Sequence, residues 1–228
     1  MTRTEVLRDL LDNGRDLPPA RLAELAAELG LPLADVLLVG GHPVPGRLLP
    51  PDRDREVMRE FAYRVTYCHH AQLAALCEFL RGLPDVDTAS ETRPARDRAD
   101  ADPFPAVLHG LMANRGFGPK EFPFVGLSMS TIRGMLGGAW HKLSQLQAAA
   151  GPLAWKTADL AALAGEPLRP LDHGPMFCHH VGAVFLAAVP RTTEQLVLAA
   201  DEADRLSGRV DRDGCRLMST GIDDCPEA

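Results

Sequence analysis

The sequence lacks any run of 18 or more apolar residues, so no membrane-spanning helix is expected. Its start, Met1-Thr2-Arg3-Thr4-Glu5, lacks the apolar stretch of a secretory leader and runs into a charged amphipathic segment. A cytoplasmic protein without membrane contact is therefore expected. No segment sustains apolar–polar alternation, which argues against strands and for an all-α chain. Walker, GxSxG, HExxH and Rossmann signatures are missing, and the Gly-rich pairs Gly40-Gly41 and Gly137-Gly138 read as helix stops. Ser144, His141 and Asp159 lie near one another in sequence but form no catalytic spacing, so a non-enzyme is expected. The five cysteines (Cys68, Cys77, Cys178, Cys215 and Cys225) are an odd number without a disulfide-like framework, which suits reduced thiols.

What is present is apolar residues at helical spacing, 46% of a 228-residue chain, enough for one large core or two small ones. Residues 84–103 and 209–228 are too polar to bury and read as a disordered linker and tail. Folded parts are expected over 1–83 and 104–208. These parts resemble each other. Residues 20–44 align without a gap on 144–168, with Leu22, Ala26, Leu29, Ala34, Asp35, Gly41 and Pro43 matching Leu146, Ala150, Leu153, Ala158, Asp159, Gly165 and Pro167. With single-residue shifts, Glu5–Leu11 resembles Ser130–Leu136, and Gln72-Leu73 resembles Gln195-Leu196. The chain reads as one helical unit used twice.

The net charge of −7 opposes a nucleic-acid partner in general, but it is unevenly spread. Residues 106–166 carry Arg115, Lys120, Arg133, Lys142 and Lys156 against Glu121, Asp159 and Glu166. In this stretch Val107, Leu108, Leu111 and Met112 mark a helix ending near Arg115-Gly116. Pro119-Lys120-Glu121-Phe122 suits the start of a second helix. Gly126-Leu127-Ser128 is a turn with an N-cap serine. Met129–Leu136 is a short helix stopped by Gly137-Gly138, and two amphipathic helices follow at about 143–150 and 157–164.

The run Gly126-Leu127-Ser128-x-Ser130-Thr131-Ile132-Arg133-x-Met135-Leu136-x-Gly138 resembles the turn and recognition helix of the Cro/C1-type (XRE-like) helix-turn-helix family. The order of the following helices resembles that five-helix domain over about 60 residues, and residues 5–44 resemble its last three helices. Paired domains of this kind are an actinobacterial type. The resemblance implies an all-α fold of two related units, the second holding the complete domain. It also implies a sequence-specific transcription regulator that binds double-stranded DNA, with no cofactor. The third helix would lie in the major groove, with Met129, Ser130 and Gly134 at the base edges. Ser128 and Thr131 would sit near the backbone, with Lys120, Arg133 and Lys142 as nearby cations.

Two departures shape the expectation. None of Met129, Ser130 and Gly134 offers the bidentate pairing that Arg, Asn or Gln gives a purine. Pro123 falls inside the second helix, which should be short or distorted. A non-enzymatic protein-interaction module on a degenerate helix-turn-helix fits the same residues, so both readings stand. A two-fold DNA site requires a homodimer, or the two units pack as a pseudo-dimer within one chain.

Cys68-His69-His70 and Cys178-His179-His180 carry zinc-favoured ligand types, with Cys77, His173 and His42 as extras, and would make a metal- or haem-responsive regulator. Neither cluster has a complete ligand spacing, and a tetrahedral site needs both to meet. The repeat places Thr192-Thr193 opposite the first cluster, so no duplicated metal site is implied and no metal is expected. Cys225-Pro226, a haem-regulatory dipeptide elsewhere, lies in the polar tail. The first unit has only four residues before its recognition-like segment. Val6, Leu7, Leu10 and Leu11 must then be covered by the second unit or another subunit, unless the gene product starts upstream of Met1.

Overall fold

The computed structural model describes residues 1–86, 90–95, 102–121, 127–139, 142–166 and 179–208. The chain is all-helical. The described residues form eleven α-helices: α1 (Arg3–Asn13), α2 (Pro19–Leu29), α3 (Leu33–Val39), α4 (Arg55–Val65), α5 (His70–Gly82), α6 (Phe104–Ala113), α7 (Met129–Leu136), α8 (Leu143–Ala150), α9 (Thr157–Leu163), α10 (His179–Ala188) and α11 (Thr193–Ser207). The one β-type pairing among them is an isolated bridge between Val44 and Arg93. Among the described residues no helix is long and apolar enough to cross a membrane.

The gapless alignment of 20–44 with 144–168 corresponds to repeated local geometry. Gly30 and Ala154 are aligned, and both adopt the left-handed conformation, at φ 59° and 53°. The next residue in each case, Leu31 or Trp155, donates its N–H to the aligned carbonyl of Ala26 or Ala150. Gly41 and Gly165 end α3 and α9 at φ 72° and 71°. His42 and Glu166 then donate back to Leu37 and Ala161. These 6→1 bonds satisfy carbonyls that a helix end leaves unpaired.

Further along the chain the caps repeat as well. Gln72 accepts the N–H of His69 at the start of α5, and Gln195 accepts the N–H of Thr192 at the start of α11, at 2.9 and 3.1 Å. Each glutamine also reaches across to the end of the other helix. Gln72 Nε2 donates to Leu206, and Gln195 Nε2 donates to Pro84.

Packing across the chain is reciprocal too. α4 lies on α11 while α10 lies on α5, and α5 and α11 touch each other. α1 covers α9, and α6 covers α3. Leu7 and Leu10 are both buried: α1 packs on α9 of the second half, while Leu10 also lies against Gly14 and Gly40 of its own half. This pairing corrects one alignment. The sequence similarity pairs Glu5–Leu11 with the segment that forms α7, but α1 stands to α9 as α6 stands to α3, whereas α7 packs on α6. The apolar spacing of α1 suits any buried amphipathic helix and does not identify its partner.

One apolar core runs through both halves, from Leu7 to Ala203. Phe185 of α10 belongs to it and lies edge-on to Phe61 at 6.1 Å and to Phe117 at 4.6 Å between centroids. Part of the stretch expected to be a disordered linker is docked on this body. Ser90 Oγ donates to the Pro50 carbonyl, Arg93 bridges to Val44, and the Arg93 guanidinium donates to Gly110 and Asn114. Hydrogen bonds to backbone carbonyls and to the Asn114 amide supply the binding there, which apolar content does not reveal. The expected tail, 209–228, lies outside the described residues.

Candidate nucleic-acid interface

α7 is held by Ile132 and Met135, both buried, with Leu127 buried just before it. Ser128 is its N-cap, and its Oγ accepts the Thr131 N–H at 3.1 Å. The same Oγ lies 2.9 Å from Ser130 Oγ and 2.8 Å from Thr131 Oγ1, so the three hydroxyls satisfy one another. Ser128, Ser130 and Arg133 are exposed, and Met129, Thr131 and Gly134 are half-buried. The helix ends at Gly137 and Gly138, the latter at φ 76°, where the sequence placed its stop.

Before α7, residues 118–121 form a turn. The Glu121 N–H bonds the Gly118 carbonyl at 3.2 Å, and the Glu121 carboxylate accepts the Gly118 N–H in return. This is half of a capping box, the local geometry of a helix start. The rest of the expected second helix, Pro123 included, lies outside the described residues.

Lys120, Met129 and Arg133 line one groove of about 240 Å³. The structure adds two residues that the sequence reading missed: Arg55 and Arg59, one turn apart on α4, line the same groove. Their carboxylate neighbours are Glu56 and Glu121. Glu56 is paired with Arg59 on its own helix. Glu121 is buried, and burial pushes its carboxyl above the ordinary value, while the N–H groups of Glu121 and Gly118 and the charges of Arg55 and Arg59 pull it down less strongly. Among the described residues Arg55, Lys120 and Arg133 make no ion pair. Four cations thus surround the start of α7 with two carboxylates, both already engaged.

The remaining expected residues do not line this groove. Ser128, Ser130 and Thr131 form the first turn of α7, and Gly134 follows on its second. Lys142 is the exposed N-cap of α8, its N–H bonded to Gln145 Oε1 at 2.9 Å. The pair Arg55 and Arg59 carried an i, i+4 signal in sequence, but only the fold sets α4 beside α7.

His70 at the start of α5 and His180 at the start of α10 approach each other. The His70 ring centroid is 5.8 Å from that of His69 and 6.4 Å from that of His180. Cys178 and the His179 side chain lie outside the described residues, among which no group of three or more residues is arranged to hold a metal ion. Cys68 and Cys77 are buried thiols, with Sγ against the carbonyls of Ala203 and Ala183. Burial raises the Cys77 thiol above its ordinary value, the mark of a packing residue rather than a reactive thiolate. Asp159, one of the scattered Ser-His-Asp residues, is engaged by Arg3.

Comparison with protein-family models, with curated proteins and with solved structures returned no match.

Proposed function

We propose that the chain is a sequence-specific DNA-binding transcription regulator, using a Cro/C1-type helix-turn-helix built from α6, the turn at 118–121, α7, α8 and α9. The observation that carries this reading is the groove at the start of α7, where Arg55, Arg59, Lys120 and Arg133 converge. Duplex affinity comes chiefly from such local cations, whatever the net charge of the chain. Ser128 and Thr131, in the first turn of α7, and the exposed Lys142 at the start of α8 are the further donors of this reading. Base reading falls to Ser130, which pairs with several bases, and to Met129, which suits a thymine methyl. With no bidentate base reader in this set, sequence preference is modest and phosphate contacts dominate.

The reciprocal packing of the two halves supports an internal pseudo-dimer. Only the second half carries an α7-type helix with a turn before it, so one chain engages one half-site. No second copy is needed to complete the fold.

The competing reading, a protein-interaction module on the same scaffold, draws on Glu56 and Glu121 in the groove and on the mutually bonded hydroxyls of Ser128, Ser130 and Thr131. Selection of the full chain on a random duplex library, at low and then physiological salt, separates the two. Enrichment of a short motif supports the regulator. No retention at either salt supports the interaction module.

A further inference from the structure

We propose that Arg55 and Arg59 of α4, in the first half of the chain, are phosphate-contacting residues of the DNA interface formed by α7 in the second half. The inference rests on the DNA-binding reading and extends its surface beyond the helix-turn-helix itself. α4 starts at Asp54, which accepts N–H bonds from Glu56 and Val57 and so fixes its first turn. Met58, Phe61 and Val65 anchor its inner face in the core. Residues 55 and 59, one turn apart, then share a face directed into the groove that Lys120, Met129 and Arg133 line from the other side.

Both arginines act on the buried Glu121 carboxylate within this groove, which places their charges at its wall. Arg55 is exposed and has no ion-pair partner among the described residues, and Arg59 is tied only to Glu56 of its own helix. A rigid guanidinium fork presented this way matches a phosphate oxygen pair, and Arg is favoured for that geometry over Lys. α10 occupies on α5 the place that α4 occupies on α11. Its described residues carry no arginine or lysine, so the cationic face belongs to α4 alone.

The test uses the full chain, with duplexes selected from the random library and with unrelated duplexes. Arg55→Ala and Arg59→Ala should each weaken binding roughly tenfold at low salt and flatten the salt dependence by about one unit of logarithmic slope. The loss should be equal for selected and unrelated duplexes, with the melting temperature unchanged. Arg21→Ala, which removes an exposed arginine of α2 paired to Glu24 and Glu28, is the control for net charge and should change nothing. If the wild type binds and the α4 variants match it, this inference falls while the DNA reading stands. An equal loss in Arg21→Ala also overturns it. Failure of the wild type to bind any duplex overturns both.

Discussion

The Asp35 carboxylate receives both terminal nitrogens of Arg115, at 3.0 and 2.7 Å, across a distance of 80 residues and with both side chains buried. Asn114 and the Trp155 indole donate to the same carboxylate, at 2.8 and 2.9 Å. Arg115 also donates to the carbonyls of Leu111 and Leu153. The aligned residue Asp159 is equally buried and is held by Arg3 from the other half, whose side chain is 30% exposed. One aspartate of each half is therefore neutralised by an arginine of the other.

A buried charge left without its partner is costly. Asp35→Ala and Arg115→Ala should each destabilise the fold by about 3–5 kcal/mol. Asp159→Ala should cost less, about 1–3 kcal/mol, because Arg3 regains water. Urea unfolding followed by circular dichroism measures both, and equal losses at Asp35 and Asp159 would contradict the difference in burial between Arg115 and Arg3.

The aligned left-handed positions make opposite predictions. A Cβ at Gly30 meets nothing within 4 Å, so Gly30→Ala suffers backbone strain alone, about 1 kcal/mol. Ala154 already carries that strain, and Ala154→Gly should stabilise the protein or leave it within about 0.5 kcal/mol. Thermal unfolding of the two variants should move in opposite directions, or for Ala154→Gly barely move. A clear loss in Ala154→Gly would refute the assigned turn.

Glu121 sets a pH dependence. Burial raises its folded-state value, so the folded chain holds that proton more tightly than the unfolded chain. Its contribution is full below the ordinary carboxylate value and is lost as pH rises through the raised one. Glu121→Gln keeps an acceptor for the Gly118 N–H and abolishes this slope. At neutral pH the variant should be at least as stable as the wild type. It should also bind duplex more tightly, because one carboxylate leaves the groove. Loss of both stability and affinity would show that the charge itself is required.

Purified protein should hold less than one zinc or iron per chain, and chelators should leave its melting temperature unchanged. This follows from the buried, carbonyl-facing thiols of Cys68 and Cys77 and from the incomplete ligand spacing. One tightly held metal per chain in elemental analysis would overturn it, and His70 and His180 would be the first ligands to replace.

Much of the local structure was legible in the sequence. Ser128 as a cap, Gly137-Gly138 as a stop and the helices near 143–150 and 157–164 are short-range features, dictated by spacing and capping chemistry. The repeat of 20–44 in 144–168 was legible for the same reason. Long-range pairing was not. Apolar faces on α1 and α6 say that something covers them, but not that each covers the last short helix of the opposite half. Arg115 read as one of the cations of a positive segment, yet it is a buried counterion. Arg55 and Arg59 gave no signal that tied them to the helix-turn-helix, and only the fold brings them into the groove at α7.

The most direct test of the central claim is the salt dependence of full-length protein binding to a duplex carrying its selected motif, followed by fluorescence anisotropy. The selected motif should be short and non-palindromic, in keeping with a single α7 per chain. Affinity should fall linearly with salt on logarithmic axes, with a slope reporting several phosphate contacts. Arg133→Ala and Lys142→Ala should each flatten that slope by about one unit. No binding to any duplex at low salt, or binding that does not change with salt, would contradict it.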